Sequence, residues 1–232
     1  MAITTAILLA AGEGSRLRAS APYKPLCAVG GKALIDHALD GLAVAGMDHV
    51  VVVLGYGEAA IRRHLAARRL PLRVDIASTD PRRPNGVSTL AAAPHVPGEA
   101  LLVMCDHLVE PALYARVAEA GAGPGLRLGI DRRLGHDWVD PLDVTCVRTE
   151  GNRIVAIGKG LEPHDAYDTG VFAIGQRLFA ELAALPDPSL TEGVRVLAAG
   201  GRAEVVDVSD CDWLDVDDPP ALARAEGWKA AA

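Results

Sequence analysis

The chain has 232 residues, enough for one large α/β domain with a well-covered core, or that domain with a small appendage. Half of the residues are apolar, yet no stretch approaches the roughly eighteen uninterrupted apolar residues of a membrane span. The formal charge of −7 argues against non-specific binding to nucleic acid or anionic membranes, and the N-terminus lacks a basic n-region and cleavage site, so a cytoplasmic protein is expected.

Residues 3–10 read as a strand that runs into Leu9-Ala10-Ala11-Gly12-Glu13-Gly14-Ser15-Arg16. A strand that ends in a Gly-rich loop exposes several backbone N–H groups in one concavity, where an anion can sit. Gly12 and Gly14 let the chain turn there and leave no Cβ to hold a ligand off. Arg16 and Lys24 add two cations for the same anion, and the arrangement suits a triphosphate. The dinucleotide fingerprint would need a third glycine where Leu17 stands and an acidic residue about twenty positions later on the next strand. Asp36 is near that distance but sits inside a helical pattern, and the P-loop motif is absent.

A helix is expected over residues 32–47, with Leu34, Ile35, Ala38, Leu39 and Leu42 on one face. A buried β-branched strand (50–54), a helix (58–70) with solvated arginines and a short strand (73–77) follow. The turn-rich stretch 80–86 reads as a loop, after which Ser88 is expected to cap a short helix through residue 93. A buried strand (100–104) and a helix (111–120) complete an alternation that implies a mostly parallel sheet with helices on both sides. Asp106 ends the strand 100–104, on the rim where such sheets bind ligands, and a carboxylate there can hold Mg²⁺. A helix N-cap is the simpler role for one such Asp, but the next helix begins several residues later.

The second half reads as strands at 126–130, 143–148, 153–157 and 171–174, with a hairpin turn at Glu150-Gly151-Asn152. Helices near 176–184 and 190–199, a strand at 204–208 and a helix after Pro219-Pro220 close the chain. Asp218 is placed to cap that last helix. Asp215 and Asp217 alternate along an extended segment, so both can face one side, with Asp106 as the opposite jaw of a cation site. The four cysteines show no C-x-x-C spacing and the seven histidines no H-x-x-x-H pair, which leaves ordinary reduced thiols and gives a histidine metal site no support.

The segments L-x-A-A-G-x-G-S-R-L and K-P-L resemble the signature of the nucleotidyltransferases that couple a nucleoside triphosphate to a sugar phosphate or similar alcohol phosphate. Asp131-Arg132-Arg133, residues 153–159, residues 165–172 and Trp213-Leu214-Asp215-Val216-Asp217 resemble one branch of that MobA-like superfamily, the CTP:inositol-1-phosphate cytidylyltransferases. The resemblance implies a single Rossmann-like nucleotidyltransferase domain over residues 1–232 with a small antiparallel subregion for the acceptor. Residues 1–122 would mainly serve the nucleotide, and 123–232 the acceptor and a second metal element.

By the same resemblance, the nucleotide would meet Leu9, Ala10, Ala11, Gly12, Glu13, Gly14, Ser15, Arg16, Lys24, Asn85, Ser88 and Asp106. The acceptor would meet Asp131, Lys159, Asp168, Thr169 and Gly170, with Arg16, Lys24 and Lys159 as the catalytic cations. Mg²⁺ would sit on Asp106 and Asp215, and less firmly on Asp217. The implied substrates are CTP and inositol 1-phosphate. A membrane CDP-alcohol phosphotransferase is the implied functional partner, and the reading accommodates a homodimer. Two rivals stay open: the same chemistry on a sugar 1-phosphate, phosphocholine or molybdopterin, and a non-catalytic nucleotide-binding regulator.

Overall fold

The computed structural model describes residues 2–231. In chain order its first half contains β1 (Thr5–Ala10), β2 (Ala28–Val29), β3 (Lys32–Ala33), α1 (Leu34–Val44), β4 (His49–Leu54), α2 (Glu58–Ala66), β5 (Arg73–Ser78), α3 (Asn85–Ala92), β6 (Ala100–Met104), β7 (His107–Val109) and α4 (Pro111–Ala120). The second half contains β8 (Leu126–Asp131), β9 (Thr145–Glu150), β10 (Arg153–Lys159), β11 (Ala166–Ile174), α5 (Gln176–Ala183), α6 (Leu190–Ala199), β12 (Ala203–Asp207), β13 (Trp213–Asp215) and α7 (Pro219–Ala231).

Nine strands form one sheet in the order β5-β4-β1-β6-β11-β8-β12-β10-β9. The first four are parallel, as the alternating strands and helices of the first half require. The antiparallel part starts in the middle of the sheet, because β11 runs antiparallel to both β6 and β8. Strands from the two halves of the chain are therefore hydrogen-bonded in one continuous sheet.

The period-two pleat divides the core. Ala6, Leu8, Ala10, Val50 and Val52 pack with Leu39, Leu42, Ile61, Leu113 and Val117 on one face. Ile7, Leu9, Val51 and Val53 pack with Leu178, Leu182, Leu190 and Val194 on the other. A third cluster, with Leu17, Leu34, Leu108, Leu214 and Val216, lies beneath the Gly-rich loop and has Trp138 packed against it.

Two local expectations need correction. The helix expected from residue 32 starts at Leu34, because Lys32 and Ala33 pair back onto Ala28 and Val29. Gly30 and Gly31 make that turn with φ of 59° and 74°, the left-handed pair that suits a two-residue hairpin. Ser88 is not a cap. The helix already begins at Asn85, with Pro84 as its N-cap, and Ser88 is buried one turn inside. Asp218 does cap α7, accepting from the Ala221 N–H at 2.8 Å. Cys27, Cys105, Cys146 and Cys211 are all free and buried. Among the described residues no helix is long and apolar enough to cross a membrane.

Candidate active site

The Gly-rich loop leaves the C-terminal end of β1. Gly14 sits at φ 55°, and a Cβ there would strike the Cβ of Lys24, so the glycine lets the lysine stem lie against the loop. Leu9, Ala10, Gly12, Gly14, Ser15, Arg16, Lys24, Asp106 and Asp217 line one concavity. Ala11 supports it from behind, its carbonyl accepting from the Tyr56 N–H at 3.0 Å. Glu13 turns outward and pairs with Arg18 at 3.4 Å. Lys24 is the buried cation of this pocket. Its side chain is only 9% exposed, and its Nζ lies 2.6 Å from Asp106 Oδ2 and also pairs with Asp217. Burial works against an ionised Asp106, but Lys24 and then His107 outweigh it and hold the pKa at about 2.

Beside this pocket, β6 turns through Asp106 into β7, and β7 pairs antiparallel with β13 so that His107 stands opposite Asp215. Donor atoms of Asp106, His107 and Asp215 all lie within 4.8 Å of one another. His107 Nε2 is 3.9 Å from Asp106 and 3.6 Å from Asp215. Burial lowers the imidazole pKa, but Asp215 and then Asp106 overcome it and raise the value to about 9. Asp215 Oδ1 is buried with no hydrogen-bond partner, an uncommon state for a carboxylate oxygen. An orphaned oxygen in a carboxylate pair beside the Gly-loop pocket fits a hard, oxygen-seeking cation such as Mg²⁺, which Asp106 and Asp215 would hold. Asp217 does not join this group. Two positions beyond Asp215, it faces the Gly-rich loop, where Arg16 and Lys24 take up its two oxygens.

A second, wider cleft adjoins the first and is lined by Arg16, Asn85, His107, Trp138, Asp143, Lys159, Asp168, Gly170, Asp215 and Asp217, among others. Lys159, at the end of β10, pairs with Asp143, and Asp143 also accepts from Arg16 at 2.7 Å. Asp168 faces the same space. Burial raises its pKa to about 6, against the Gly170 N–H, which donates to it at 2.7 Å, and the charge of His107.

Besides Ala11 and Glu13, several residues expected at the substrates are placed otherwise; Ser88, buried inside α3, lines neither cleft. Asp131 is fully buried, gripped by Arg133 and by the Trp213 Nε1–H at 2.9 Å, so its carboxylate anchors β13 and touches no cleft. Thr169 is also fully buried, its hydroxyl donating to the Gly129 carbonyl at 2.8 Å. Asn85 lines the wider cleft, not the Gly-loop pocket, and its Oδ1 accepts from the Leu190 N–H at the start of α6.

His107 and Asp143 are the additions that sequence reading missed. His107 follows Asp106 directly at a strand end, a doubling of donor residues that could have marked it. Asp143 lies in an irregular loop among other aspartates and carries no such mark.

An α/β sheet with a Gly-rich loop pocket at its parallel rim, a buried lysine and a facing carboxylate pair is a nucleotidyltransferase fold. The chain belongs to the family of MobA-like NTP transferase domains, whose model matches residues 6–205. It is 32% identical over 97% of its length to a protein of Rubrobacter xylanophilus named bifunctional IPC transferase and DIPP synthase, and covers 53% of that protein. A protein of the same name from Aquifex aeolicus is also 32% identical over 97% of this chain, which covers 51% of it. This chain thus spans about half the length of these relatives. The solved inositol-1-phosphate CTP transferase from T. maritima shares the fold with a TM-score of 0.85 at 23% identity, over 97% of both chains.

Proposed function

We propose that the protein transfers a cytidylyl group from CTP to inositol 1-phosphate, releasing CDP-inositol and pyrophosphate. The observation that carries this reading is the carboxylate pair Asp106–Asp215, one oxygen of it orphaned, set beside the Lys24-lined Gly-loop pocket. That is the equipment for moving a phosphoryl-type group from a polyphosphate. The choice of CTP and inositol phosphate rests on the names of the relatives in R. xylanophilus and A. aeolicus and of the T. maritima structure.

In this reading the backbone of residues 9–15, with Arg16 and Lys24, holds the triphosphate and offsets charge that builds up on departing pyrophosphate. Lys159 draws the acceptor phosphate toward the α-phosphorus from the wider cleft. That acceptor is already ionised near neutral pH, so its oxygen attacks in line without a general base, and positioning with charge neutralisation supplies the catalysis. Mg²⁺ bound by Asp106 and Asp215 would add Lewis-acid neutralisation of phosphate oxygens. His107, held by Thr169, keeps the two carboxylates apart and oriented. A membrane CDP-alcohol phosphotransferase that consumes CDP-inositol is the partner this activity calls for.

The test is a pyrophosphate-release screen with Mg²⁺ that crosses four nucleoside triphosphates with inositol 1-phosphate, sugar 1-phosphates and phosphocholine. Turnover is expected with CTP and inositol 1-phosphate. Faster turnover with another pair would reassign the substrates, and none with any pair would favour a regulatory protein.

A further inference from the structure

Six side chains form an unbroken row of alternating charge across the mouth of both clefts: Asp106, Lys24, Asp217, Arg16, Asp143 and Lys159. Four are set in the framework. Asp106 lies in the two-residue turn between β6 and β7, Lys24 is buried, Asp217 lies between β13 and α7, and Lys159 ends β10. Asp143 differs. It belongs to the 132–144 loop, which contains neither helix nor strand, and it reaches Arg16 on one side and Lys159 on the other. Both of those cations are more than half exposed, at 51% and 60%, so the two links are charge contacts open to water.

A carboxylate held between a guanidinium and an ammonium occupies the directions from which a phosphate oxygen would be bound. We propose that Asp143 is a displaceable stand-in for phosphate that couples the two clefts: an anion captured at Lys159 expels Asp143 and thereby frees Arg16 for the polyphosphate. The assignment rests on the reading of these clefts as sites for two phosphate-bearing substrates. A phosphate at Lys159 removes one of the two anchors of Asp143 and repels it from the other. Arg16 then meets the nucleotide phosphates with Asp217 still beside it but without the second carboxylate that had held it. Linkage makes the effect reciprocal, so each ligand tightens the other by the same factor. Asp143 touches no reacting atom in this scheme; it positions the two cations and sets the order in which they become free.

The test uses the full chain in metal-free buffer, where turnover is suppressed, with inorganic pyrophosphate as the calorimetric probe. Asp143→Asn should bind pyrophosphate more tightly than wild type, on the order of tenfold, within the usual range of coupling between sites. Asp143→Glu, which restores the charge, should return toward wild type. Saturating inositol 1-phosphate should tighten pyrophosphate binding to wild type and leave Asp143→Asn unchanged. Unchanged or weaker pyrophosphate binding by Asp143→Asn overturns the proposal, as does equal tightening of both proteins by inositol 1-phosphate. If neither protein binds inositol 1-phosphate, the substrate reading fails, and the pyrophosphate comparison alone decides the role of Asp143.

Discussion

His107 Nδ1 lies 2.9 Å from the carbonyl oxygen of Thr169, and since a carbonyl only accepts, that nitrogen carries a hydrogen. The bond turns Nε2 toward Asp106 and Asp215. Gly170, at φ 76°, completes the seat, because a Cβ there would run into the imidazole ring. The Thr169-Gly170 pair therefore acts on the cleft through His107. The register of β11 against β8 shifts between Asp168 and Phe172, which is how the strand makes room for this arrangement.

His107→Ala removes the imidazole that stands between the two carboxylates. The metal-free variant should lose about 1–3 kcal/mol of stability, the usual cost of leaving buried polar groups unsatisfied. Added Mg²⁺ should then raise the melting temperature of the variant more than that of wild type. Equal shifts in thermal denaturation would show that Asp106 and Asp215 do not share the cation.

Asp215 and Asp217 are two positions apart yet face different partners, and that separates their variants. Asp215→Ala should lower turnover on the order of a hundredfold or more and raise the Mg²⁺ concentration needed for half-maximal rate. Asp217→Ala takes one of two carboxylate partners from each of Lys24 and Arg16 and should leave that Mg²⁺ concentration near the wild-type value. Rates of pyrophosphate release measured against Mg²⁺ concentration read both, and a large Mg²⁺ shift in the Asp217 variant would place it among the ligands.

Gly12 and Gly14 also separate cleanly. A Cβ on Gly12 meets open space, whereas one on Gly14 meets Lys24 at a left-handed φ of 55°. Gly12→Ala should fold with wild-type stability and bind CTP more weakly. Gly14→Ala should lose about 1–2 kcal/mol from backbone strain alone, and more from displacing Lys24. Urea denaturation paired with CTP titration distinguishes the two, and an unstable Gly12→Ala would contradict the open loop.

Part of this site is readable in the sequence because strong local signals carry it. The apolar run of β1 breaks at Gly12, the β-branched run 50–53 marks a strand buried on both faces, and Asp106 ends the next buried run. What stays hidden depends on pairing at a distance. β7 and β13 have three residues each, too few for any periodicity, so nothing local sets His107 opposite Asp215. Asp131 reads as a polar strand end near the acceptor, but Arg133 and Trp213 draw it into the interior. No pattern around Asp143 indicates that its loop crosses to Arg16.

Asp168 supplies a pH dependence of defined sign. Burial raises its pKa to about 6 in the folded protein, above the value of about 4 for an unfolded chain. Between these values the folded state holds the proton more tightly, so this group's contribution to stability is full below about pH 4 and is lost as pH rises through about 6. Asp168→Asn should therefore gain on wild type by about 1–3 kcal/mol between pH 4 and pH 7. Urea denaturation at several pH values checks this, and parallel profiles for the two proteins would show an unperturbed carboxyl.

The β7–β13 ribbon also bears on how the protein comes into being. During synthesis the Gly-rich loop, Lys24, Asp106 and His107 leave the ribosome well before Asp215 does, yet a domain folds as a unit. Until the segment around Trp213 docks along β7, His107 has one acidic neighbour in place of two. Because Leu214 and Val216 also pack beneath the Gly-rich loop, the loop pocket and the carboxylate pair are completed together by the same late segment. A proteolytic cut between residues 107 and 213 that released the later segment would strip the floor of the Gly-loop pocket and the second carboxylate in one stroke.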